Sequence, residues 1–187
     1  MEATVQGSPA FGRIEVTLGP TESLVAESDA MASMAAELDV KARFNGGFFS
    51  GWCKKLFGGE SLFVNEFTNN SSRERHLVLT SGLPGDVREL KLENESFCLQ
   101  PGAYIASTPG LKLGVKWAGI RSWIAREGLF KLQVSGSGTL WYGAYGGLLD
   151  KEVHGEYIVD TSHLVAYDPG LKLKIQLAGG IFSSLFG

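Results

Sequence analysis

The chain has 187 residues, 44% of them apolar and 20% charged, and its 17 Lys and Arg against 20 Asp and Glu leave a formal net charge of −3. A chain of this length buries roughly 70% of its unfolded surface as one domain, so it needs neither a disulfide framework nor a structural metal, in keeping with only two cysteines, Cys53 and Cys98. No basic block offers a face to phosphates, so nucleic acid is not an expected partner.

No stretch reaches the ~18 unbroken apolar residues of a membrane span, and the start MEATVQGSPAFG lacks a basic region followed by an apolar one. The expected location is therefore cytoplasmic and reducing. The 25 glycines, about 13% against a typical ~7%, point to many tight turns between short strands.

Residues 1–10 are set aside as a flexible N-terminus, and residues 11–187 as a single all-β domain of three pseudo-repeats, at about 11–80, 86–148 and 149–187. The repeat is legible in three strand-like triplets, each after a turn-like approach: Leu24-Val25-Ala26, Tyr104-Ile105-Ala106 and Leu164-Val165-Ala166. In the first copy, Ala30 to Leu38 (AMASMAAEL) favours helix by propensity, while the repeat places it at a strand end and hairpin, and the repeat is followed. Leu38, Val40, Ala42 and Phe44 then alternate with Asp39, Lys41 and Arg43, the period of a strand with one buried face. An apolar loop runs from Asn45 to Gly59, and a strand returns through Leu62 and Phe63 to Thr68.

The second copy repeats this order. Leu111, Leu113, Val115 and Trp117 alternate, Ala118 to Arg126 form the loop, and Leu129-Phe130 re-enter a strand. Two Gly-rich stretches follow, Ser135 to Gly138 and Tyr145 to Gly147. Neither opens a helix or ends in a phosphate-loop Lys, so both read as hairpin turns.

The third copy keeps a constant offset of 60 positions. Phe97 falls on Tyr157, Leu99 on Val159, and Pro109 to Leu113 on Pro169 to Leu173, with Leu171, Leu173, Ile175 and Leu177 predicting another alternating strand. After Ala178 the sequence reaches Leu185-Phe186-Gly187, the counterpart of Leu56-Phe57-Gly58, with no returning strand. The native chain is expected to continue beyond this point. Short strands, Gly-rich turns and the repeat predict an all-β fold of sandwich or barrel type.

Phe57 to Asn65, Pro101 to Ala106, and Glu127 to Leu132 with Gly136-Ser137-Gly138 resemble the family named after altered inheritance of mitochondria 24. The resemblance spans about Leu24 to Gly187. It implies three pseudo-repeats of a short double-stranded β-helix, similar to the fold of the trp RNA-binding attenuation protein, with the third repeat incomplete. It further implies a trimer, no established catalytic residues and, for mitochondrial members, a link to inner-membrane organisation.

The chemistry-bearing residues form no coherent catalytic set. His76, His154 and His163 are scattered without a His-x-His spacing, so no metal is expected, and no other cofactor. Cys98 lies in a strand-like Phe97-Cys98-Leu99 that would bury it as an inert thiol. Cys53 has Lys54 and Lys55 beside it to favour a thiolate, but its aromatic loop favours packing. Glu60 and Glu127, next to Gly59 and Gly128, occupy equivalent repeat positions and read as a structural motif rather than an acid and base pair.

The loops hold large apolar side chains: Phe48, Phe49, Trp52, Leu56 and Phe57 in the first, Ile120, Trp123 and Ile124 in the second, and Ile181, Phe182, Leu185 and Phe186 in the third. They serve either as lids over the barrel ends or as one contiguous patch for subunits or a membrane surface, where Lys54, Lys55 and Arg121 suit anionic headgroups. The expected function is a non-enzymatic structural or scaffolding role, acting through homo-oligomer assembly and a composite apolar loop surface with peripheral membrane contact. The alternative is small-ligand or RNA binding at inter-subunit clefts.

Overall fold

A computed structural model describes residues 1–44, 63–117 and 130–173. Among them the chain forms strands β1 (Glu2–Gln6), β2 (Arg13–Leu18), β3 (Ser23–Glu27), β4 (Met31–Met34), β5 (Leu38–Phe44), β6 (Phe63–Asn69), β7 (Arg75–Thr80), β8 (Gly85–Leu99), β9 (Tyr104–Ser107), β10 (Leu111–Trp117), β11 (Phe130–Tyr145) and β12 (Ala166–Tyr167). Apart from two three-residue 3-10 turns, no helix interrupts them among the described residues, so the all-β expectation holds.

Two antiparallel sheets result. The smaller has the order β1-β2-β7-β4; the larger runs β12-β8-β11-β9-β3-β6-β5, with β10 following β9 along the same edge of β11. Alternation explains the packing. In β2, Ile14, Val16 and Leu18 are buried while Arg13 and Glu15 face out, and in β7 Leu77 and Leu79 do the same. They meet Leu24, Ala26, Phe67, Ile105, Ala106 and Trp141 of the larger sheet in one core. The opposite face of the larger sheet carries a second core of Val64, Leu92, Leu99, Tyr104, Leu111, Leu132, Val134, Leu140 and Tyr142. The larger sheet is thus apolar on both faces, and neighbouring residues such as Trp141 and Tyr142 serve different cores.

Two hairpins share one register. β5 pairs β6 from Leu38↔Asn69 to Phe44↔Phe63, and β10 pairs β11 from Leu111↔Gly136 to Trp117↔Phe130, seven pairs each. Beyond its hairpin, β11 continues along β8 as a long ribbon bent by a bulge: Gly136 faces Glu95 and Ser137 faces Glu93, which leaves Asn94 as the extra residue. Asn94 has φ 60 and its N–H donates to Ser137 Oγ at 2.9 Å. Gly136 has φ 123, and a Cβ there would stand 2.6 Å from the Gly110 carbonyl oxygen.

Several sequence expectations are corrected. Residues 1–10 are not a flexible end: β1 pairs β2 in full antiparallel register from Glu2↔Thr17 to Gln6↔Arg13, with Ala3 and Val5 packed on the core. The AMASMAAEL stretch is strand and turn rather than helix, but β4 pairs β7 and β5 pairs β6, so it links two sheets instead of closing a hairpin. Ser135 to Gly138 are not a hairpin turn but the interior of β11, and Gly147 follows β11 without a paired strand. On the expected inner face of β5 Leu38 is buried, whereas Val40 and Ala42 are exposed. Residues 157–159 and 171–173 form no strand and are exposed, because no returning strand pairs with them among the described residues.

Candidate functional site

The loop residues expected to form a contact surface, Phe48, Phe49, Trp52, Leu56, Phe57, Ile120, Trp123, Ile181, Phe182 and Phe186, lie outside the described residues, as do Gly59, Glu60, Glu127, Gly128 and Cys53. The structure does show where the first two loops are rooted. Each is joined to the closing pair of a seven-pair hairpin, Phe44↔Phe63 in one and Trp117↔Phe130 in the other.

The described surface has its own apolar concentration, in the segment that follows β11. It is pinned at both ends. At its start the Leu148 carbonyl accepts from Arg88 Nη2 at 2.9 Å and the Leu148 N–H donates to Asp86 Oδ2 at 3.2 Å. At its end the Gln100 N–H donates to the Val165 carbonyl at 2.9 Å, and Ala166 and Tyr167 pair with Leu99 and Cys98 of β8. Between these anchors Leu149 is 89% exposed, Tyr157 58%, Ile158 83% and Val159 43%. Gly155 turns the chain at φ 86, and Lys151 Nζ sits 5.2 Å from the Tyr157 ring centroid. Tyr145, Leu171 and Leu173 add further exposed apolar surface. Sequence reasoning aligned Tyr157 and Val159 with the strand-like Phe97 and Leu99 and placed Leu171 and Leu173 in an alternating strand with a buried face; all four are exposed.

Burial and hydrogen bonds shift several titratable groups. Burial raises the Asp86 carboxyl, but hydrogen bonds from Ser8 and the Leu148 N–H, together with Arg88, outweigh that and hold it below the usual carboxylate range. Burial pushes Tyr104 up, against a hydrogen bond with Ser107 Oγ at 2.9 Å; its hydroxyl also donates to the Val25 carbonyl. Tyr142 is raised by burial and then by Asp150, and Tyr167 by burial and then by the Cys98 thiol. In the turn between β2 and β3, the Glu22 carboxyl is lowered first by the N-terminal amine and then by the Gly19 N–H, which donates to it at 2.6 Å.

Among the described residues two hydroxyls stand beside an imidazole, Thr17 Oγ1 with His76 Nδ1 and Ser162 Oγ with His163 Nδ1 at 3.0 Å, both at the exposed surface. Cys98 is a buried free thiol. His76 bonds Thr17 Oγ1 at 3.1 Å across the β2–β7 pair, while His154 and His163 lie exposed beside Glu152 and Asp160. No group of three His, Cys, Asp or Glu able to hold a metal occurs among the described residues. A depression of about 350 Å³ is lined by Met1, Glu2, Thr17, Gly19, Pro20, Glu22 and Glu74, and the N-terminal amine in it pairs with the Glu22 carboxylate. No helix among the described residues is long and apolar enough to cross a membrane.

Comparison with known proteins bears on the whole chain. A family model described as mitochondrial biogenesis AIM24 matches residues 3–187. An uncharacterised protein of a Streptococcus pyogenes serotype M6 strain is 24% identical over 194 residues, which cover 99% of this chain and 77% of that protein. A crystal structure of a Streptococcus pyogenes protein superimposes with a TM-score of 0.77 at 22% identity, covering 98% of this chain and 83% of the other, a likeness of fold.

Proposed function

The chain belongs to the AIM24 family, and from that premise we propose that it is a non-enzymatic structural protein that works by assembling copies of itself, as a homotrimer, into a scaffold with a composite apolar surface. The observation that carries this reading is the pinned segment around Leu149, Tyr157, Ile158 and Val159. It holds large apolar side chains in solvent although the chain already owns two closed cores. Exposed apolar surface of this kind marks an association site. A subunit contact would repay the cost of holding it in place.

Three pseudo-repeats give this segment its meaning. The common register of the β5–β6 and β10–β11 hairpins supports two copies of one unit, and the third copy contributes β12 and the exposed segment. The apolar loop residues, from Phe48 in the first copy to Phe186 in the third, extend the same contact role and provide the face for a membrane or partner. Their support is their composition and the matching hairpin ends at which the first two loops are rooted. The protein acts in the cytoplasm, against a membrane surface when that face is engaged.

Light scattering of the purified full chain tests the assembly. Three times the 20.1 kDa chain mass is expected. A single-chain mass at every concentration up to the solubility limit would overturn the reading.

A further inference from the structure

Deepening that reading, on whose contact it rests, we infer that Tyr157 is an acceptor for the phosphoryl group of ATP, delivered by a protein tyrosine kinase, and that the phosphate controls whether the exposed segment associates.

A kinase takes its acceptor as an extended peptide, so the acceptor must lie outside any sheet, with the residues on both sides of it within reach. All five tyrosines of the chain are described, and four of them fail this condition. Tyr104 and Tyr142 are buried. Tyr167 is half-buried in β12, where it pairs with Cys98 and meets its thiol. Tyr145 is 77% exposed, but its main chain is held in the β11 ladder opposite Gly85.

Tyr157 meets the condition. Residues His154 to Asp160 belong to no strand and are exposed without a break, so Tyr157 stands at the centre of the window with three residues on each side. The anchors at Leu148 and Val165 hold that window in place on the fold. Within it Tyr157 carries the only side-chain hydroxyl, and the Ser162 hydroxyl beyond it already donates to the Asp160 carboxylate.

In the transfer, the Tyr157 phenol oxygen forms a bond to the γ-phosphorus as the bond from that phosphorus to ADP breaks. ADP leaves, and the phenolic proton passes to the kinase's catalytic carboxylate. Lys151 is placed to receive the new anion. Its Nζ sits over the Tyr157 ring, 5.2 Å from the centroid, and exchanges that contact for an ion pair with the phosphate. A group of nearly two negative charges then stands among Leu149, Ile158 and Val159, and covering those side chains requires stripping it of water. The unmodified segment is apolar enough to associate; the phosphorylated one is not.

The full chain, diluted until it is dispersed, is treated with a broad-specificity tyrosine kinase domain, ATP and Mg²⁺. Mass spectrometry of its peptides locates the phosphate, and light scattering of the untreated and treated chains reads assembly. One phosphate per chain is expected, on Tyr157, lost in Tyr157→Phe and kept in Tyr145→Phe, with circular dichroism confirming that both variants keep their strands. The treated chain is expected to assemble at least about tenfold more weakly and to recover after phosphatase. No phosphate at Tyr157, or as much at Tyr145, would overturn the inference. Phosphate at Tyr157 with assembly unchanged would overturn its control of the contact and leave the scaffold reading intact. An untreated chain that stays at the single-chain mass of 20.1 kDa would overturn the scaffold reading, and the control with it.

Discussion

Ala26 of β3 lies directly opposite Ala106 of β9 in the antiparallel ladder, and both are fully buried. With the neighbouring pair Val25↔Ser107 this is the contact that joins the β5–β6 side of the larger sheet to the β8–β11 side. Two small side chains at the crossing let the strands share one core with Trp141 and Phe67. Ala106→Leu forces three extra heavy atoms into that joint. It should cost about 1–3 kcal/mol, read as a lowered urea midpoint with an unchanged slope. An unchanged midpoint would show that the joint has room.

Asp86 ties the end of the long ribbon to the exposed segment through Arg88 Nε at 3.1 Å and the Leu148 N–H at 3.2 Å. Its carboxyl is held below its ordinary value in the fold. The resulting stability is therefore present above the unfolded value of about 4 and is lost as pH falls through the folded one. Asp86→Asn should cost about 1–3 kcal/mol at pH 7, and its stability curve should converge on the wild type as pH falls from about 4 to 2. Parallel curves across that range would contradict the role.

At the bulge, Gly136 combines φ 123 with a Cβ position 2.6 Å from a backbone oxygen, so neither rotation nor a flexible neighbour relieves a side chain. Gly136→Ala should destabilise by about 1–3 kcal/mol or more, with Gly147→Ala, which has open space around it, within about 0.5 kcal/mol of wild type. Equal effects at the two positions would remove the bulge from the account.

Strand alternation made β5 and β10 legible in the sequence, and the triplets at Leu24 and Tyr104 fall on β3 and β9. What could not be read was pairing that depends on distant residues. β1 is strand because β2 offers an edge to Glu2–Gln6, although residues 1–10 have no strong pattern of their own. Ser135 to Gly138 have turn composition yet stay in β11, because β8 pairs with all four, β10 pairs with Ser135 and Gly136 on the other edge, and Asn94 absorbs the misfit. The reverse holds at Tyr157 to Val159, whose strand-forming residues find no partner among the described residues. Of the candidate surface, the apolar loops were named from composition, whereas the segment at 149–160 emerged only from its exposure in the fold.

The central claim is that this segment is covered when copies assemble. Hydrogen exchange at Ile158 and Val159, followed at a concentration where the chain is dispersed and at one a hundredfold higher, tests it most directly. The account predicts that both amides exchange freely when dilute and that the one of these two oppositely directed N–H groups that faces the partner copy slows by about tenfold or more when concentrated. Exchange at the unprotected rate at both concentrations would contradict it.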